Sequence, residues 1–211
     1  MPPNPRTPTI AQSFAREARS GRELFRLPLH AVNLRRLPRG TGRPVLLLPG
    51  LGATDLSLNA LARFLRRLGH DAQPLGLGRI TARVSSTVPM VIERIREIGH
   101  GDTVALVGQS LGGVLAREAA RRDALLVRRI ITFGSPVFDR TGGWAAGSPG
   151  AVPITAIWSA NDGVVPPEAS IDRRHGAVEN VEVTSSHLGM GFDPDVWRVV
   201  ARRLALDGGA P

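Results

Sequence analysis

The chain has 211 residues, 42% of them hydrophobic, which is enough apolar material for one core and too little length for a second full domain. It has no cysteine, and all 27 of its basic residues are arginine, so disulfides, thiolate nucleophiles, phosphate-cradling lysines, lysine Schiff bases and Ser-Lys dyads are excluded. The net charge of +9 invites a polyanion, but the arginines are dispersed and aromatics are only 4%, with no tyrosine; a solvated basic surface and no nucleic-acid partner is the expectation.

Residues 1–8 are proline-rich and read as disordered, while 9–27 place Ile10, Phe14, Ala18, Leu24 and Phe25 among arginines in an amphipathic helical pattern. The plain reading of this arm, residues 1–42, is a partly helical segment packed on the domain. The sharper reading is a weak peripheral contact with anionic membrane through its basic side. No signal-peptide core and no run of about 20 apolar residues occurs, so a cytoplasmic protein is expected.

From Pro44 onward short apolar runs alternate with helical periods, the pattern of βα units around a mostly parallel sheet with helices on both faces. Val45 to Leu48 reads as a buried strand. Asp55 is read as the cap of a helix with Leu58, Leu61, Ala62, Leu65 and Leu68 on one face, ended by Gly69. Asp71 to Leu75 reads as a strand, and Ser86 or Thr87 as the start of a helix carrying Pro89 in its first turn and Val88, Val91, Ile92, Ile95 and Ile98 on its buried stripe. Thr103 to Val107 is the central strand, followed by a helix from Leu111 to about Arg122 and a strand from Arg129 to Phe133. A Gly/Ser/Pro-rich loop, 134–152, is too short for a lid domain. Strands Ile154 to Trp158 and Val178 to Val183 follow. Asp193 and Pro194 then open a last helix whose Val196, Val199, Val200 and Leu204 face the sheet. The α/β domain is thus expected over 43–207, with 208–211 a tail.

Gly108, Gln109, Ser110, Leu111 and Gly112 lie between the central strand and its helix, the context in which G-x-S-x-G exposes a serine hydroxyl on a sharp turn. Ser110 at a helix N-terminus meets backbone N–H groups suited to a developing oxyanion; the plainer account is a helix cap. A serine needs a base. His30 lies in the arm, and His70 and His100 follow helix-ending glycines at the amino ends of strands, which reads as ordinary turns. His187 follows the last strand at its carboxyl end, with His175 the second choice. Asp162, after the strand ending at Trp158, is the acid that would orient the base, and Asp139 competes with it. Oxyanion donors are expected from the N–H groups of Leu111 and of Leu51, at the apex of the loop after the first strand.

LLLPGLGA, VGQSLGG, FGSP, SANDGVVPP and SSHLGM, each following a strand, resemble the α/β-hydrolase superfamily, and within it the small bacterial lipases and esterases, over roughly residues 43–206. The Ser, Asp, His chain order is the same, and the last two motifs favour Asp162 and His187. An arginine-rich composition fits a GC-rich bacterial genome. The resemblance implies a minimal, lidless α/β-hydrolase fold and a serine esterase or lipase acting on a small-molecule ester or lipid. No cofactor and no metal is implied. A neutral His187 would take the Ser110 proton, giving an acyl-enzyme that water hydrolyses, with activity falling on the acid side. Trp144, in the loop before the fifth strand, would wall the acyl site. Many relatives have His-Gly where this chain has Pro49-Gly50, which removes a side chain that orders the Leu51 loop. The alternatives are an acyltransferase, thioesterase or amidase using the same triad, or a non-catalytic basic protein that binds at a membrane surface.

Overall fold

The short apolar runs from Pro44 onward become the inner strands of one sheet, because a run of five to seven residues buried on both faces is too short for a helix, while the edge strands DAQP and VENVEV are only partly buried. The computed structural model describes residues 34, 36–137, 152–173, 176 and 178–208. His30, Asp139, Trp144 and His175 lie outside the described residues, as do most of the N-terminal arm, positions 138–151 of the loop and positions 209–211 of the tail.

The elements in chain order are β1 (Pro44–Leu48), a 3₁₀ turn (Asp55–Leu58), α1 (Asn59–Arg67), β2 (Asp71–Pro74), α2 (Val84–Gly99), β3 (Val104–Gln109) and α3 (Leu111–Arg122). Then come β4 (Val127–Phe133), β5 (Ile154–Ser159), the single-turn α4 (Pro167–Ser170), β6 (Val178–Val183) and α5 (Pro194–Ala205). The six strands form one sheet in the order β2-β1-β3-β4-β5-β6, with every neighbouring pair parallel.

Strand alternation divides the core in two. Val45 and Leu47 of β1, with Ala105 and Val107 of β3, meet α1 and α5 on one face. Leu46, Leu48, Leu106 and Ile130 meet α2 and α3 on the other. Trp197 of α5 stacks on Phe64 of α1 at 5.0 Å, closing the first layer. Leu34 and Leu37, from the end of the predicted arm, are buried in that same layer.

The chain leaves β1 outward to β2 and then returns to place β3 on the other side of β1. The connections after β1 and β3 therefore diverge to opposite faces, α1 on one and α3 on the other. The carboxyl ends of β1 and β3 are thus a topological switch point, the place where open α/β sheets bind their ligands.

Three local expectations are corrected. Asp55 does not cap α1: its carboxylate accepts the N–H groups of Leu75 at 3.0 Å and Gly76 at 3.1 Å, joining the loops after β1 and β2. Helix α2 starts at Val84, ahead of Ser86 and Thr87, whose hydroxyls instead bond back to the Arg83 carbonyl. Pro89 accordingly sits beyond the first turn, inside the helix. The central strand does not stop at Val107; it runs on to Gln109, so that Gly108 pairs with Leu48 of β1 and Thr132 of β4. Among the described residues no helix is long and apolar enough to cross a membrane.

Candidate active site

Ser110 joins β3 directly to α3 with φ 51° and ψ −120°, a region a side-chain-bearing residue occupies only under strain of about 1–3 kcal/mol. Surrounding bonds hold it there. The Ser110 N–H donates to the Phe133 carbonyl at 3.0 Å, and its carbonyl accepts from Gly113 N–H at 3.0 Å and from the Ser135 hydroxyl at 2.7 Å. Its own hydroxyl makes no capping bond to the helix, so the cap account fails. Gly112 is required by packing: a Cβ there would overlap the carbonyl oxygen of Leu48, because α3 starts against the end of β1.

Asp162, 1% exposed, lies just beyond β5. Its Oδ1 accepts from the N–H groups of Val164 at 2.8 Å and Val165 at 2.7 Å, an Asx-type turn that fixes the carboxylate in the loop. Its Oδ2 lies 2.8 Å from Nδ1 of His187, which is itself buried. A neutral imidazole facing a carboxylate carries its proton on Nδ1, which leaves Nε2 as the basic nitrogen. Asn161 donates to the carbonyl of Thr184 at 2.9 Å and so ties the aspartate loop to the histidine loop.

Sequence reasoning missed two contacts. Gly134, at φ +55°, lies so close to the pair that a Cβ would fall 3.0 Å from His187 Nδ1 and 3.1 Å from Asp162 Oδ2. Gln109, buried at the end of β3, donates from Nε2 to the carbonyl of His187 at 3.4 Å. The signal for Gly134 and Ser135 was present in FGSP after β4; nothing local marks Gln109, whose partner is 78 residues away.

The loop after β1 completes the site from the other side. A Cβ on Gly50 would lie 3.2 Å from Ser110 Cβ and 3.8 Å from its Oγ, so this backbone flanks the hydroxyl. Among the described residues no acceptor takes the N–H of Leu51 or of Leu111. The exposed apolar side chains of Leu51, Val164 and Leu188 stand one on each of the loops after β1, β5 and β6. Ser110, Asp162, His187, Leu51 and Leu111 thus all belong to one end of the sheet. His70 and His100 lie at the other, amino end. His70 is no ordinary turn residue: it is 5% exposed, packed against Gly40. Among the described residues no cluster of His, Cys, Asp or Glu could hold a metal ion.

No sequence-family model matches the chain, and no curated protein does. Solved structures do. An α/β-hydrolase from the metagenome of lagoon sediments at Mar Chica, Morocco, superimposes with a TM-score of 0.64 at 17% identity, covering 81% of this chain and 93% of its own. A structure from work on the metagenome-derived lipolytic enzymes LipS and LipT gives 0.61 at 18% identity, covering 81% and 95%. The monoacylglycerol lipase of Paleococcus ferrophilus gives 0.60 at 16%, covering 78% and 96%. At these identities what is shared is the fold.

Proposed function

The chain has the α/β-hydrolase fold, and from that premise we propose that it is a serine hydrolase cleaving carboxylic esters through an acyl-enzyme on Ser110. The observation that carries the reading is the Asp162–His187 pair, bonded at 2.8 Å at the same end of the sheet as a serine held in a strained strand-to-helix turn. Strain of that kind persists where surrounding structure over-determines it, and here it lifts the hydroxyl clear of its own helix.

In this reading His187 accepts the Ser110 proton at Nε2 as the oxygen attacks the ester carbonyl, and Asp162 stabilises the imidazolium. The oxyanion is received by the N–H groups of Leu51 and Leu111, which have no competing acceptor among the described residues. His187 then returns the proton to the leaving alcohol, and water releases the acid by the same steps in reverse. The apolar side chains around the mouth favour an acyl group of hydrocarbon character.

The test is hydrolysis of p-nitrophenyl esters from acetate to palmitate, with fluorophosphonate labelling, on wild type and Ser110→Ala. Wild type is expected to turn over and label; Ser110→Ala is expected to do neither, with kcat lower by about three orders of magnitude or more. Equal labelling or equal turnover in the two proteins would remove Ser110 from the reaction.

A further inference from the structure

Segment 76–83, between β2 and α2, carries Arg79 and Arg83 and no acidic residue. It is stapled to the loop after β1 by two backbone bonds, Gly52 N–H to Ile80 O at 2.8 Å and Ile80 N–H to Ala53 O at 2.9 Å. Asp55 holds the start of the same segment through Leu75 and Gly76 and so has both oxygens engaged. On this frame the Arg79 guanidinium donates to the carbonyl of Gly52 at 2.7 Å. Arg79 is exposed, and among the described residues no carboxylate forms an ion pair with it.

Gly52 is two residues from Gly50, whose backbone flanks Ser110. With Cα atoms about 3.8 Å apart along the chain, Gly52 stands within about 8 Å of Gly50, so the guanidinium is bound to the same loop whose backbone flanks the hydroxyl. It is a cation with spare donors, held to the residue that follows exposed Leu51. A solvent-facing arginine held by a backbone carbonyl loses less entropy on gripping an anion than a free one, and its planar fork matches carboxylate and phosphate oxygens.

We infer that Arg79 selects ester substrates that carry an anionic group, carboxylate or phosphate, a few bonds from the scissile carbonyl. The inference rests on the proposed ester hydrolysis at Ser110. Such a group could belong to a soluble ester or to a lipid headgroup, and the experiment has an arm for each.

In the soluble arm, kcat/KM is measured for p-nitrophenyl hexanoate and for the mono-p-nitrophenyl ester of adipic acid, with wild type, Arg79→Gln and Arg79→Lys. In the lipid arm the pair is monoacylglycerol and lysophosphatidylglycerol in mixed micelles. The readout is the anionic-to-neutral ratio, which cancels differences in folded fraction or in loop order. Arg79→Gln is expected to lower that ratio about fivefold, the worth of one solvent-accessible ion pair, in at least one arm. Arg79→Lys should keep most of it, and the wild-type ratio should shrink as salt rises. A fall in the soluble arm identifies a free anionic ester; a fall in the lipid arm alone identifies a headgroup. Ratios that do not change with Arg79→Gln in either arm overturn the inference and leave the esterase reading standing. If wild type cleaves none of these esters, or Ser110→Ala cleaves them as well, the esterase reading fails and this inference falls with it.

Discussion

Asp162 divides its oxygens between two tasks: Oδ1 folds its own loop through Val164 and Val165, and Oδ2 orients His187. The first task is why Asn-Asp-Gly reads as an ordinary turn, and the second needs a residue 25 positions on. At the amino end of the strands His70 makes the opposite case. Its Nε2 has no hydrogen-bond partner among the described residues. Burial, helped by the Arg128 guanidinium and opposed by Asp207, pushes its pKa below the ordinary 6.5. Since the folded chain resists this protonation and the unfolded chain does not, His70 has no effect on stability well above pH 6.5. As pH falls below that value the unfolded state takes the proton first, and stability declines until the folded His70 titrates too. Urea unfolding at about pH 7.5 and about pH 5.5 should therefore show a larger acid loss for wild type than for His70→Leu. Equal losses would mean that His70 does not titrate differently in the two states. That burial was not legible in the sequence, because it comes from Gly40, whose N–H bonds to Leu68 O just before His70.

At the scale of elements, periodicity located every strand of the sheet, and helix α3 over Leu111–Arg122. What it misjudged were ends. Asp55 and Ser86 are good capping residues by type, yet Asp55 is taken by the distant N–H groups of Leu75 and Gly76, and the Ser86 hydroxyl by the local Arg83 carbonyl, bonds that compete with capping. The join of β3 to α3 is where the elements are tightest. Gly112→Ala would place a methyl group on the Leu48 carbonyl, and backbone on both sides leaves no flexible side chain to yield. The expected cost is at least about 3 kcal/mol, or a Tm about 6–12 °C lower for a chain of this size. A Tm within a degree or two of wild type would show that α3 can move away from β1 freely, and the close approach would lose its meaning.

At the scale of the whole molecule a buried ion pair links two segments far apart in the chain. Arg117 on α3 and Asp172, between α4 and β6, are joined at 2.6 Å with side chains 1% and 0% exposed. The Asp172 backbone is bonded on both sides by the Asn180 side chain, so the guanidinium grips a fixed point. Desolvation draws the Arg117 pKa below its usual value, and the carboxylate opposes that. Removing one partner takes this counter-charge from a buried group, so Arg117→Met should cost about 3–5 kcal/mol in denaturant unfolding, while the double variant Arg117→Met, Asp172→Leu should recover most of it. A double variant as unstable as the single one would mean that the pair's geometry, rather than its charge balance, is what the fold requires. By itself the sequence determined the class of fold, the strand and helix order, and a short set of candidate residues. Those follow from local apolar period, glycine spacing and the order of motifs after strands. Only the tertiary structure decided which candidates meet, because the partners of Asp162, Gln109, His70 and Arg117 come from segments far along the chain. The strand order β2-β1-β3-β4-β5-β6, which no local pattern encodes, is what brings them within reach.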